Sequence, residues 1–290
     1  MGTPAQPVDW TGMSEATWRE VAPGVHVRRH DELKLNCGLV VGEERSLVID
    51  TRSFHAHGRE LLEAVREITG TELVVVNTHA HYDHCFGNAA FRDSQIYAHP
   101  GAAEGLRRTG EHQRQQVVDH LRATDREHLA EQVEETEIVL PFYLVEQDTE
   151  LDLGGRTVEL QYAGRGHTDH DLAVGVPDAG VVFVGDLVEE GADPAMEDAF
   201  PMEWAPTLRS LLERPSGVLA DSWVPGHGHV VDRTFVETQA EQLATMAERF
   251  TEVLGTGIAG VDSLANAGRG LGLTEDTLRL AAVRALELRH

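Results

Sequence analysis

The chain has 290 residues, 41% hydrophobic and 25% charged, with 49 acidic against 24 basic side chains and a formal net charge of -25. That composition belongs to a globular chain able to bury a sizeable core, and its charge disfavours nucleic acid and anionic membrane surfaces as partners. No stretch approaches the ~18 uninterrupted apolar residues of a membrane span. The opening segment, MGTPAQPVDWTGMSEATW, lacks the basic and apolar regions of a signal peptide, so the expected location is the cytoplasm. Lys34 is the sole lysine, which leaves lysine chemistry almost no candidates, whereas histidine is abundant at sixteen. The two cysteines, Cys37 and Cys85, are too few for a disulfide framework and read as buried small hydrophobes.

In chain order, VHVRR, LNCGLVVG and RSLVIDT read as short strands, and HGRELLEAVREITG as a helix with Leu61, Leu62, Val65 and Ile68 on one face and Gly70 as its stop. LVVVNTH then reads as a fully buried strand, which makes a strand–helix–strand unit. Residues 101–137 are polar and free of β-branched runs, which predicts a helical insertion. TELDLGGRTVELQYA and DLAVGVPDAGVVFVGD read as hairpins turning at Gly154-Gly155 and at residues 177–180. Leu243, Met246, Phe250 and Leu254 recur at helical spacing, and a last helix is expected from Thr274 to about residue 288. With no Pro/Gly/Ser-rich linker, the expectation is a single domain over 1–290, with a core of about 20–232 and C-terminal helices over about 235–290.

The chemistry concentrates in HAHYDH, which offers His79, His81, Asp83 and His84 where the buried strand ends. Alternate residues of an extended segment point the same way, so His79 and His81 reach one position while the following turn aims Asp83 and His84 at a neighbouring one. Imidazole with carboxylate suits zinc, iron or manganese. Three later segments add His167 in GRGHTDHD, Asp186 in VVFVGDLVEEG and His227 in VPGHGHV, each at the end of a β-rich or glycine-rich stretch.

This series, HxHxDH followed by His, Asp and His, resembles the metallo-β-lactamase superfamily over roughly residues 20–232. The resemblance implies an α/β fold, a four-layer αβ/βα sandwich of two facing mixed β-sheets with helices outside. It also implies a dinuclear site in which His79, His81 and His167 hold one metal ion, Asp83, His84 and His227 hold the other, and Asp186 bridges them. Two divalent ions, Zn2+ first and Fe or Mn as alternatives, would make hydroxide available at neutral pH, with Asp83 orienting the nucleophile or passing its proton to the leaving group. Asp50, which closes SLVID, matches an acidic position that in the family supports the ligands without binding metal.

Other polar residues read more plainly. His170 and His229 break the ligand spacing, His55 and His57 precede a helix and read as solvated, His99 reads as structural, and Cys85 and Tyr82 as packing. Within the superfamily, zinc β-lactamases place a cysteine or a non-ligand where this chain has Asp186, so the resemblance points to glyoxalase II-like thioesterases and lactonases. The expected activity is metal-dependent hydrolysis of a small ester, thioester, lactone or amide. The alternatives are a mononuclear iron persulfide dioxygenase and β-lactamase activity.

Overall fold

The computed structural model describes residues 16–289; the reading of the opening segment as lacking a signal peptide falls almost wholly outside them. The chain forms two compact units. The first runs to Ala98 and takes in Ala103–Leu144 and Leu153–Gly155; the second comprises His99–Ala102, Val145–Asp152 and the chain from Arg156 on.

In the first unit a seven-stranded sheet pairs its strands in chain order: β1 (Trp18–Ala22), β2 (Val25–Arg29), β3 (Asn36–Val41), β4 (Arg45–Ile49), β5 (Glu72–Val76), β6 (Gln95–Ala98) and β7 (Tyr143–Leu144). β1 to β4 run antiparallel, and β4 to β7 run parallel. Parallel neighbours need crossover connections. Here they are α1 (His55–Ile68) before β5, the short α2 (Tyr82–Cys85) before β6, and α3 (Pro100–Ala123) with α4 (Glu127–Glu134) before β7. Leu61 and Val65 of α1 are fully buried against Leu39, Val48 and Val75, while Leu62 and Ile68 are partly covered. Gly70 does not stop this helix. Thr69 is already extended, because the chain drops directly into β5, and Gly70 keeps no left-handed φ. The polar segment 101–137 is helical as expected but in two pieces, divided near Asp125, which has φ 58.

The second unit holds a five-stranded mixed sheet in the order β12-β11-β10-β9-β8, from β8 (Thr149–Asp152), β9 (Thr157–Tyr162), β10 (Leu172–Val176), β11 (Val181–Glu189) and β12 (Ser222–His227). Both expected hairpins are present, with Asp152 opposite Thr157 and Val176 opposite Val181. β12 joins parallel to β11 after α5 (Trp204–Glu213) and α6 (Pro215–Leu219). Then follow α7 (Arg233–Gly255), α8 (Val261–Gly268) and α9 (Glu275–Glu287), the last capped by Thr274, whose hydroxyl accepts from Thr277 N. Leu243, Met246 and Phe250 of α7 are fully buried with Trp204, Trp223 and Leu278. Among the described residues no helix is long and apolar enough to cross a membrane.

Candidate metal centre

In the first unit the ligand candidates are organised by one buried carboxylate. β5 is buried from Leu73 to Val76, and the chain leaves it through Asn77 and Thr78 into HAHYDH. Asp50, at the end of β4 and 1% exposed, accepts from Thr78 N and from Thr78 Oγ1, both at 2.8 Å, and lies 2.8 Å from His84 Nδ1. Thr78 Oγ1 also lies 3.0 Å from His79 Nδ1. A hydroxyl has one proton. Because Thr78 gives its proton to Asp50, His79 Nδ1–H must donate to Thr78, and His84 Nδ1–H likewise donates to Asp50. Both rings are thereby fixed in the tautomer whose Nε2 carries the lone pair, which is the arrangement that orients metal-binding imidazoles.

The alternation expected of this segment is present. His79 and His81 offer ligand atoms within 4.8 Å of each other, and Asp83 and His84 do the same. The His79 ring lies edge-on to His81 at 4.7 Å and 4.2 Å from the His84 ring. His79, Asp83 and His84 are buried. The segment is propped by α3, where Gln113 donates to the Ala80 carbonyl at 3.1 Å and accepts from Tyr82 N at 2.9 Å. Tyr82 packs edge-on to Phe86. Cys85 is buried, its thiol donates to the His81 carbonyl, and burial pushes its pKa up, away from thiolate chemistry.

In the second unit the candidates come from three separate segments and meet at one oxygen. Asp186 Oδ2 lies 3.6 Å from His167 Nε2 and 3.3 Å from His227 Nε2. Asp186 sits where β11 loses register with β12: Gly185 faces Pro225 and Glu189 faces His227, so four steps along β11 match two along β12. Such bulges re-aim a side chain. His167 rides on a loop pinned by Asp171, which accepts from Thr168 N at 2.7 Å and from Thr168 Oγ1 at 2.8 Å. A Cβ on Gly166 would meet Leu187 Cδ2 at 2.4 Å. Gly228, which follows His227, has φ 90, and a Cβ there would meet the Glu190 carbonyl oxygen at 2.2 Å.

The donor chemistry of each set, imidazoles oriented for Nε2 coordination and carboxylates beside them, fits a divalent metal. His55 is exposed as expected, but His57 is not: it is 5% exposed, with its ring 3.7 Å from that of Phe54 and its Nδ1 3.4 Å from Glu32 Oε1. The His57–Gly58 side of the first turn of α1 faces inward, a tertiary fact that a polar sequence context hides. His170 is buried, with Nδ1 2.6 Å from Asp169 Oδ1, and His229 is exposed beside Glu190. The His99 ring stacks on Tyr162 at 4.2 Å. The sequence pattern does not single out Thr78 or Asp171. The i,i+3 pair Thr168–Asp171, a spacing typical of side-chain-to-backbone turns, was the available signal for the second, and nothing local distinguishes the first.

Residues 30–227 match the metallo-beta-lactamase superfamily. The metallo-beta-lactamase type 2 of Bacillus cereus is 27% identical over 203 residues, covering 68% of each chain. Among solved structures, a metallo-beta-lactamase from Pontibacter korlensis superposes with a TM-score of 0.63 at 19% identity, covering 79% of this chain and 99% of that one. The DIM-1 metallo-beta-lactamase exposed to ceftazidime gives 0.62 at 20%, covering 81% and 99%. Likeness at this level carries the fold, and with the two mixed sheets it bears out the expected α/β sandwich class.

Proposed function

From the membership of this chain in the metallo-beta-lactamase superfamily of metal-binding hydrolases, we propose that it is a metal-dependent hydrolase with a dinuclear site. In this reading His79, His81 and His167 hold one ion, Asp83, His84 and His227 hold the other, and Asp186 serves both. The observation that carries it is the placement of Asp186 Oδ2 between the Nε2 atoms of His167 and His227. A carboxylate so placed would serve two neighbouring cations, where a cysteine or a non-ligand would leave each ion its own set. The division of HAHYDH into a His79/His81 pair and an Asp83/His84 pair supports the same count.

Held by these residues, a pair of divalent ions, zinc first among candidates, would supply hydroxide at neutral pH by lowering the pKa of water from 15.7 towards ~7 and would polarise a scissile carbonyl. The chain's own part is orientation. Asp50, directly and through Thr78, holds the His84 and His79 rings with Nε2 outward. Asp83, buried beside His84, would orient the nucleophile or carry its proton to the leaving group. The substrate is a small ester, thioester, lactone or amide, and the glyoxalase II-like or lactonase branch suits the Asp186 carboxylate. The net charge of -25 supports a small-molecule substrate over nucleic acid or membrane.

A second reading, β-lactam hydrolysis, is favoured by the matched relative's being a metallo-beta-lactamase; a β-lactam is itself a cyclic amide. The test is metal analysis of the purified protein followed by a panel of thioesters, lactones and β-lactams on the loaded enzyme. Two equivalents of metal and turnover of an ester-class substrate are expected. Preferential β-lactam turnover selects the second reading. One iron with oxygen uptake on a persulfide overturns both.

A further inference from the structure

Behind HAHYDH the first unit contains a buried ionic lattice that the chemistry above does not use. Arg52 has no exposed surface; its guanidinium donates to Glu32 Oε1 and Glu60 Oε2, and Glu60 Oε1 accepts from Arg28. Glu32 and Arg28 are themselves 2% and 7% exposed. Buried charges are costly and persist where geometry and hydrogen bonding are good. What this lattice accomplishes is visible in the backbone it holds.

Asp50 and Arg52 have φ of 60 and 74, left-handed values that L-residues other than glycine seldom adopt. Two such residues within three positions form a strained corner, and strain of this kind survives where the surroundings over-determine it. Each residue of the corner has its own anchor. Asp50 accepts from Thr78 and pairs with His84 Nδ1. Thr51 N donates to the His84 carbonyl at 2.8 Å, and its hydroxyl donates to Asn88 at 2.8 Å. The Arg52 carbonyl accepts from Gly87 N at 2.9 Å, while its side chain locks into the two carboxylates. The fit is close, since a Cβ on Gly87 would stand 1.8 Å from the Thr51 carbonyl oxygen. Asp50 can therefore hold its partners only while the corner stays left-handed, and the Arg52 side chain ties the corner to Glu32 and Glu60.

We propose that Arg52, clamped by Glu32 and Glu60, is a positioning residue for the metal ligands: it holds the Asp50–Arg52 corner in the conformation that fixes the His84 and His79 tautomers. This rests on the metal-site reading above. Arginine is required because one planar fork reaches both carboxylates, which a lysine ammonium cannot reproduce.

The experiment compares the full-length wild type with R52Q, R52K and E32Q. Histidine tautomers are read by long-range 1H–15N NMR on the metal-free protein, and Zn2+ affinity by competition with a chromophoric chelator. In the wild type His84 and His79 carry their protons on Nδ1. In R52Q that preference collapses and Zn2+ affinity falls ~10–100-fold, the range found when a partner of a metal ligand is lost, with R52K between R52Q and wild type. Should R52Q not fold, E32Q, which keeps the Arg52–Glu60 pair, decides, with a smaller change in the same direction. Variants that fold with wild-type tautomers and wild-type Zn2+ affinity overturn the proposal. A wild type that binds no metal overturns the metal-site reading instead, and the tautomer comparison still decides the role of Arg52.

Discussion

The two units present their ligand candidates by opposite means. In the first, four candidates fall within six consecutive residues and are steadied by side chains: Asp50 on Thr78 and His84, and Gln113 on Ala80 and Tyr82. In the second, three candidates come from segments about twenty and forty residues apart and are aimed mainly by backbone features, the register slip at Asp186 and the close-packed Gly166 and Gly228, with the Asp171 side chain pinning the His167 loop. A contiguous motif can move as a piece and needs bracing; a dispersed set is braced by its sheet and depends on each segment taking one path.

That contrast can be broken experimentally. The largest effect is expected from Asp186→Ala, which removes the oxygen His167 and His227 share: one metal equivalent is lost and turnover falls by more than ~100-fold, checked by metal analysis and steady-state kinetics; full retention of two equivalents would refute the bridging role. Asp50→Asn keeps the shape but weakens the acceptor, and Zn2+ affinity is expected to drop ~10–100-fold with both equivalents still binding at saturation. Gly228→Ala forces a left-handed alanine against the Glu190 carbonyl and should cost about 1–3 kcal/mol, read as a lowered urea midpoint together with weakened metal binding; if stability falls but affinity does not, the turn is structural alone.

A further effect is one of pH and belongs to the first unit. Burial, then the neighbouring Arg52 charge, pushes His57 from 6.5 down to about 2, and His30, fully buried, is depressed in the same direction by burial and by Arg52, Arg28 and His57. A histidine held neutral in the fold binds its proton only when unfolded. Its contribution is complete above pH 6.5 and is lost as pH falls from there towards 2, at up to about 1.4 kcal/mol per pH unit for each such residue. Denaturant midpoints of the metal-free protein should therefore fall between pH 7 and 5, and His57→Phe should flatten that slope; an unchanged slope would show that His57 is charged in the fold.

Much of this was legible from residues alone. The run Leu73–Val76 ending in HAHYDH announced a buried strand delivering ligand candidates, and the turn residues of both hairpins marked their positions, because apolar period and turn chemistry are local properties. α8 and the two-residue β7 were not legible, since short elements carry little periodicity. His57 was misread as solvated because it lies in a polar stretch, and burial depends on what packs over a residue.

The order of the histidines and aspartates matched the chain to its family, which holds over residues 30–227, and it supplied the candidate ligands, since coordination chemistry admits few residue types. Tertiary structure alone decided which ring nitrogen bears the proton, that Asp186 stands between His167 and His227, and that Arg52 is sealed among carboxylates behind a left-handed corner. Those facts depend on contacts between segments tens of residues apart, where direction and distance follow from packing and have no local signature.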